Sequence, residues 1–115
     1  MSDLEFVSSI DNKQIMVIKP DLTSYLKMVV AVKTDDYVIQ TTDTIVVVNK
    51  ATGVLITLPV ATGSGKIYAV KSIGAGPVTI EGNSSDTIDN ELNQTITQFE
   101  CAMLVDSQAN KWSII

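Results

Sequence analysis

The sequence predicts an all-β fold, a compact antiparallel β-sandwich or jelly-roll-like barrel preceded by an N-terminal arm. Three observations carry this. Valine and isoleucine supply 27 residues and threonine 12, and side chains branched at Cβ suit a pleated, half-buried surface better than a helix. Short apolar runs recur between clusters of turn-forming residues, the spacing of a sandwich or barrel. With seven leucines and no long helical periodicity, nothing competes with strands. A chain of 115 residues is one domain, large enough for a core and small enough to gain from an interface.

Residues 1–36 differ in texture from the rest and read as an attachment arm or oligomerisation segment, with the β-module over 37–115. The arm holds candidate strands at 14–19 and 25–33 around the Pro20 corner, and a single helical turn over 21–27. Leaving Phe6, Ile15, Val17, Ile18 and Tyr25 in water would cost roughly 1 kcal/mol or more per side chain. The arm must therefore fold back over the core or dock on another chain, which makes these five residues candidate interface positions. Trp112, near the chain end, reads as a core or interface anchor and joins them.

The module opens with candidate strands at 37–42, 44–49, 54–58, 66–73 and 78–81. Asp43, Ala51-Thr52-Gly53, Gly63-Ser64-Gly65 and Gly74-Ala75-Gly76-Pro77 supply the turns between them, read as hairpins. Further strands follow at 87–88, 94–97, 100–105 and 111–115, broken by GNSSD, DNELN and SQAN. Alternation puts Tyr68 and Val70 on one face and Ile67, Ala69 and Ile73 on the other. Apolar groups on both faces predict burial between sheets or at a subunit contact. No repeat of fixed period emerges, so a solenoid is not expected.

Composition removes whole classes of function. The chain has no histidine and no arginine, and so lacks the commonest general base, the commonest metal ligand and the bidentate phosphate clamp. A net charge of -5 without a basic stripe disfavours nucleic acid. The N-terminus shows no secretory pattern, and the apolar run 28–32 is too short to span a bilayer. Synthesis in the cytoplasm is the expectation, with no membrane partner. The lone Cys101 rules out an intramolecular disulfide and reads as a small buried thiol.

The motifs that could carry chemistry give way to plainer readings. ATGSGK resembles a phosphate-binding loop, but that loop needs a glycine five positions before Gly65 and a hydroxyl residue after the lysine, where this chain has Val60 and Ile67. Asp35-Asp36 and the loose group Asp86, Asp89 and Glu91 lack calcium-loop spacing and read as solvated turns. Asn83-Ser84-Ser85 and Asn93-Gln94-Thr95 fit the glycosylation pattern, yet read as turn formers in a chain without a secretory route. Ser64 and Cys101 have no histidine partner, so a conventional activated nucleophile is absent. The expectation is a protein that is not an enzyme and has no cofactor, no metal and no catalytic residue.

The succession YVIQTTDTIVVVN, GVLITLP, GSGKIYAVKSIGAGPVTIEG, DTID and NKWSII resembles a β-module that recurs in bacteriophage virion proteins, such as tail fibres, head fibres and capsid decoration proteins. The resemblance covers 37–115 and rests on 56–59, 65–71, 78–80 and 87–90, with Asn90 where the module usually has glycine. Asparagine tolerates that place because it visits the left-handed region. The resemblance implies an all-β, usually trimeric, non-enzymatic virion component whose motif residues are turns and core positions. Expected partners are further copies of the chain in a homotrimer and a major capsid or other virion protein. In the alternative of a tail-fibre tip or receptor-binding protein, the partner is a host-surface glycan.

Overall fold

A computed structural model describes residues 28–115. Phe6, Ile15, Val17, Ile18 and Tyr25, the strand at 14–19 and the helical turn at 21–27 lie outside the described residues. Among the described residues ten strands form: β1 Val30–Lys33, β2 Tyr37–Val38, β3 Ile45–Val48, β4 Val54–Thr57, β5 Ile67–Ser72, β6 Val78–Glu81, β7 Thr87–Ile88, β8 Asn93–Ile96, β9 Cys101–Gln108 and β10 Lys111–Ile114. They build a six-stranded sheet in the order β1-β3-β5-β9-β10-β7 and a four-stranded sheet in the order β2-β4-β6-β8. The all-β prediction stands, and no helix occurs among the described residues.

The sheets are mixed rather than antiparallel, which corrects the pairing expected from sequence. From β1 to β6 the chain alternates between the sheets, and each new strand lies parallel to the one laid down a turn earlier: β1 with β3 and β3 with β5 in one sheet, β2 with β4 and β4 with β6 in the other. Parallel neighbours need a crossover between them, and the opposite sheet's strand provides it. This is a two-sided coil whose period is concealed by unequal turns. In one sheet Val30, Ile45 and Ala69 are in register; in the other, Tyr37, Ile56 and Ile80 are. Only then do β8, β9 and β10 pair antiparallel, to β6, β5 and β9.

It follows that TGSG and GAGP are not hairpin turns, because each carries the chain from one sheet to the other as an arch. The second arch lies directly on the KATG arch of the preceding turn. Ile73 N donates to Val48 O at 2.8 Å, Gly76 N to Lys50 O at 2.9 Å and Val54 N to Pro77 O at 3.0 Å. A Cβ on Gly76 would stand 1.9 Å from Thr52 O, and one on Gly74 would stand 2.3 Å from Lys50 N. Glycine is required there by backbone-on-backbone stacking.

Parity along the strands fills the core. Val46, Val48, Ile56, Leu58, Tyr68, Val70, Val78, Ile80, Ile88, Leu104 and Trp112 point between the sheets and are buried. In-register rows such as Val54 with Val78 and Ile56 with Ile80 place β-branched side chains over one another. Trp112 is 1 % exposed, so of its two readings the core one describes it within the chain. Among the described residues β1 is an edge strand of the six-stranded sheet, and it lies inside the segment assigned to the arm.

Candidate functional site

Two features stand out: a carboxylate-centred cleft at one end of the core, and the outward face of the six-stranded sheet. At the cleft, alternation along β9 that turns Ala102 and Leu104 inward also turns Asp106 inward, where it is 3 % exposed. A buried carboxylate is costly unless donors surround it, and the glycine-bearing loop supplies them. Asp106 accepts from Gly63 N at 2.7 Å, Thr62 N at 2.9 Å, Thr62 Oγ1 at 3.2 Å and Ser64 Oγ at 2.7 Å. Burial pushes the carboxyl's pKa up, but the hydrogen bonds from Gly63, Ser64 and Thr62 outweigh it and hold the group at about 2. The phosphate-loop likeness of ATGSGK thus has a physical basis: its amides form an anion cradle, occupied by the protein's own Asp106. Gly63 at φ 83° and Gly65 at φ 80° give the loop that curvature.

Two other aspartates work in the same way. Asp86 is buried and accepts from Ala61 N at 2.9 Å and from Asn110 Nδ2 at 2.9 Å. Asp43 accepts from Tyr37 Oη at 2.6 Å and Gln40 N at 2.9 Å, and the Asp43 bond, with burial and its charge, raises the Tyr37 pKa. Asp86 is therefore a buried tether, not part of a solvated turn. Its companion Asp89 accepts from Ile114 N at 3.2 Å, and Glu91 is exposed.

Asp35 meets Lys50 Nζ at 3.0 Å and Asp36 accepts from Leu55 N at 2.8 Å, so this pair stitches one turn of the coil to the next. Asn83 opens a tight turn, with Asp86 N donating to Asn83 O at 2.9 Å. Asn93-Gln94-Thr95, read from sequence as a turn, lies in β8. Asn90 does adopt a left-handed conformation, φ 68°.

Around the Asp106 cradle lies a cleft of about 500 Å³, walled by Pro59 and Val60, with Thr41 and Lys66 at its rim and Tyr68 and Trp112 behind. The Tyr68 and Trp112 rings meet at 5.7 Å between centroids, tilted by 58°. Lys66 Nζ lies 4.5 Å from the Tyr68 ring centroid and bonds to Thr41 O and to Tyr68 Oη.

The outward faces of the two sheets differ sharply. On the four-stranded sheet the outward positions hold Val38, which is 52 % exposed, Leu55, Thr57, Thr79, Glu81, Asn93 and Thr95, with Thr57 Oγ1 donating to Glu81 at 3.0 Å. On the six-stranded sheet the outward rows run Val30-Ile45-Ala69-Met103 and Val32-Val47-Lys71-Cys101, followed by Ile67 beside Val105. Val30 is 53 % exposed, Val32 62 %, Ile67 39 % and Met103 44 %. Cys101 is exposed, which corrects the buried-thiol reading: it shares the parity of Met103, opposite to the buried Ala102 and Leu104.

Sequence reasoning singled out Ser64, Lys66, Tyr68 and Trp112, which the fold gathers at the cleft, and missed Asp106. The signal was there, because a carboxylate two positions beyond Leu104 on the same parity must be inward, but the predicted strand stopped at 105. No family model, curated protein or solved structure matches the chain.

Proposed function

We propose that this protein is a non-enzymatic bacteriophage virion component, a capsid decoration or head-fibre protein that acts as a homotrimer and attaches through its N-terminal segment to a major capsid or other virion protein. The observation that carries the reading is the one-sided apolar face of β1, β3, β5 and β9. At a strand spacing of about 4.8 Å and about 6.7 Å between successive outward residues, these rows, interrupted only by Lys71, cover on the order of 300 Å², the lower end of the about 300–600 Å² of a typical monomer's largest apolar patch, which is often functional. Burying that face is worth roughly 7 kcal/mol per protomer before the costs of association. The opposite outward face is more polar, with three threonines, Glu81 and Asn93 beside Val38 and Leu55.

Threefold closure follows from the resemblance of 37–115 to the virion module, and it lets several modest contacts act together. A rigid coil with its carboxylates tied into loops suits a shell-stabilising part better than a catalyst. The reading is tested by incubating the full chain with purified phage particles that lack it. Saturable binding that raises the particles' heat resistance is expected, together with loss of binding when residues 1–27 are deleted and the melting transition is kept. Failure of the full chain to bind any virion protein overturns it.

A further inference from the structure

We propose that the open edge of β1 is a docking site for the chain's own segment Ile15-Met16-Val17-Ile18, which adds parallel to β1 and in register with Val30-Ala31-Val32-Lys33, so that the coil begins one turn earlier. This goes beyond the assembly reading and does not depend on it. β1 and β2 are consecutive strands, and among the described residues each is the edge of its sheet. The coil is therefore open at that end.

The ladder to β3 shows what the edge offers. Val29 O accepts from Ile45 N at 3.0 Å and Lys33 O accepts from Asn49 N at 2.9 Å. Backbone groups turn alternately to the two sides of a strand, so the N–H and C=O of Val30 and Val32 face away from β3. Such a row is a template for another strand, and native proteins ordinarily cover or guard it. No charge or proline interrupts 28–32, and Met28, Val29, Val30, Val32 and Val38 are all exposed around this end of the coil.

The interval along the chain selects the occupant. β3 follows β1 by fifteen residues, Val30 against Ile45, and the eleven residues 34–44 carry the chain through β2 and back. Fifteen residues before Val30 stands Ile15, at the head of an unbroken apolar run, and the eleven residues 19–29 are left for the same excursion. The bend at Thr34-Asp35 that leaves β1 has a counterpart in Pro20-Asp21. Parity in this register sets Ile15 and Val17 at the head of the outward rows through Val30 and Val32. Met16 and Ile18 fall on the inward side, beside Ala31 and the Lys33 that lies over the Tyr37 ring at 4.0 Å. A register shifted by one would stack Lys19 on Lys33 and Asp21 on Asp35, like charge on like. The short tether favours the chain's own segment over that of a second copy, because it makes the pairing intramolecular.

Hydrogen exchange on the ¹⁵N-labelled full chain reads the edge directly. The Val30 and Val32 amides should be protected about 100-fold or more. Deletion of residues 1–27 should abolish that protection, while the Ala31 and Lys33 amides, on the β3 side, keep theirs. For the register, Val17→Cys with Val32→Cys in a Cys101→Ser background is refolded from mixed ¹⁵N-labelled and unlabelled chains and then oxidised. Disulfide-linked peptides should be wholly light or wholly heavy, and Ile18→Cys with Val32→Cys, on opposite faces, should oxidise about 10-fold or more slowly. Free exchange of Val30 and Val32 in the full chain, linked peptides of mixed label, or faster oxidation of the Ile18 pair overturns the proposal. Neither measurement involves phage particles, so failure of the assembly reading leaves both results standing.

Discussion

Replacing Asp106 with asparagine removes the charge at the centre of the TGSG loop while nearly conserving its shape. In the native protein the carboxylate takes bonds from two backbone amides and two hydroxyls. Asparagine keeps one acceptor oxygen and turns an NH₂ toward donors. Charge-assisted bonds of this kind are worth about 1.5–3 kcal/mol each, partly recovered where the exposed Thr62 and Ser64 reach water, so Asp106→Asn should cost about 3 kcal/mol at neutral pH. The carboxyl's folded value of about 2 against an ordinary 3.8 separates charge from packing. A depressed folded pKa stabilises above the unfolded value and ceases to do so as pH falls through the folded one. The contribution, about 2 kcal/mol, is complete above about pH 5 and falls below about 1 kcal/mol by about pH 2.5. Urea denaturation of both proteins at several pH values gives the difference directly, because the other carboxylates titrate in both. The gap should narrow by about 1.5 kcal/mol between pH 7 and pH 2.5; a gap independent of pH would show that the cradle does not hold an ionised Asp106.

The remaining predictions probe the arches, the outer face and one strained residue. Gly76→Ala drives a Cβ to within 1.9 Å of Thr52 O, backbone that cannot turn aside, and should cost about 3 kcal/mol or more by thermal melting. Met103→Glu, on the outward face, should convert the assembled protein to monomer while leaving far-ultraviolet circular dichroism unchanged. Cys101, exposed in the single chain, should react with a thiol reagent at a rate that falls as protein concentration rises through the association range. Phe99 is 65 % exposed at φ 69°, so Phe99→Asn, a residue at ease in that region, should raise stability by up to about 1 kcal/mol.

Strand positions were legible in the sequence because alternation is a local property. Tyr68 and Val70 inward against Ile67 and Ala69 outward follows from a period of two, whatever the partner strand. Pairing is not local in that way. Whether GAGP returns the chain to the same sheet or carries it to the other depends on the arch beneath, and Gly74 and Gly76 reveal their purpose only when Lys50 and Thr52 lie against them. The coil escaped detection because Val30, Ile45 and Ala69 fall at unequal sequence intervals. The cleft was half legible: the TGSGK segment drew notice as an anion loop, but its anion, Asp106, lies more than forty positions away and no spacing motif links them.

Exposed apolar rows are the structural core of the assembly reading, and the mass of the protein in solution tests that reading most directly. Size-exclusion chromatography with light scattering at micromolar concentration should give three chains of 12.4 kDa in one particle, returning to a single chain in Met103→Glu. A stable 12.4 kDa monomer at that concentration would contradict the account.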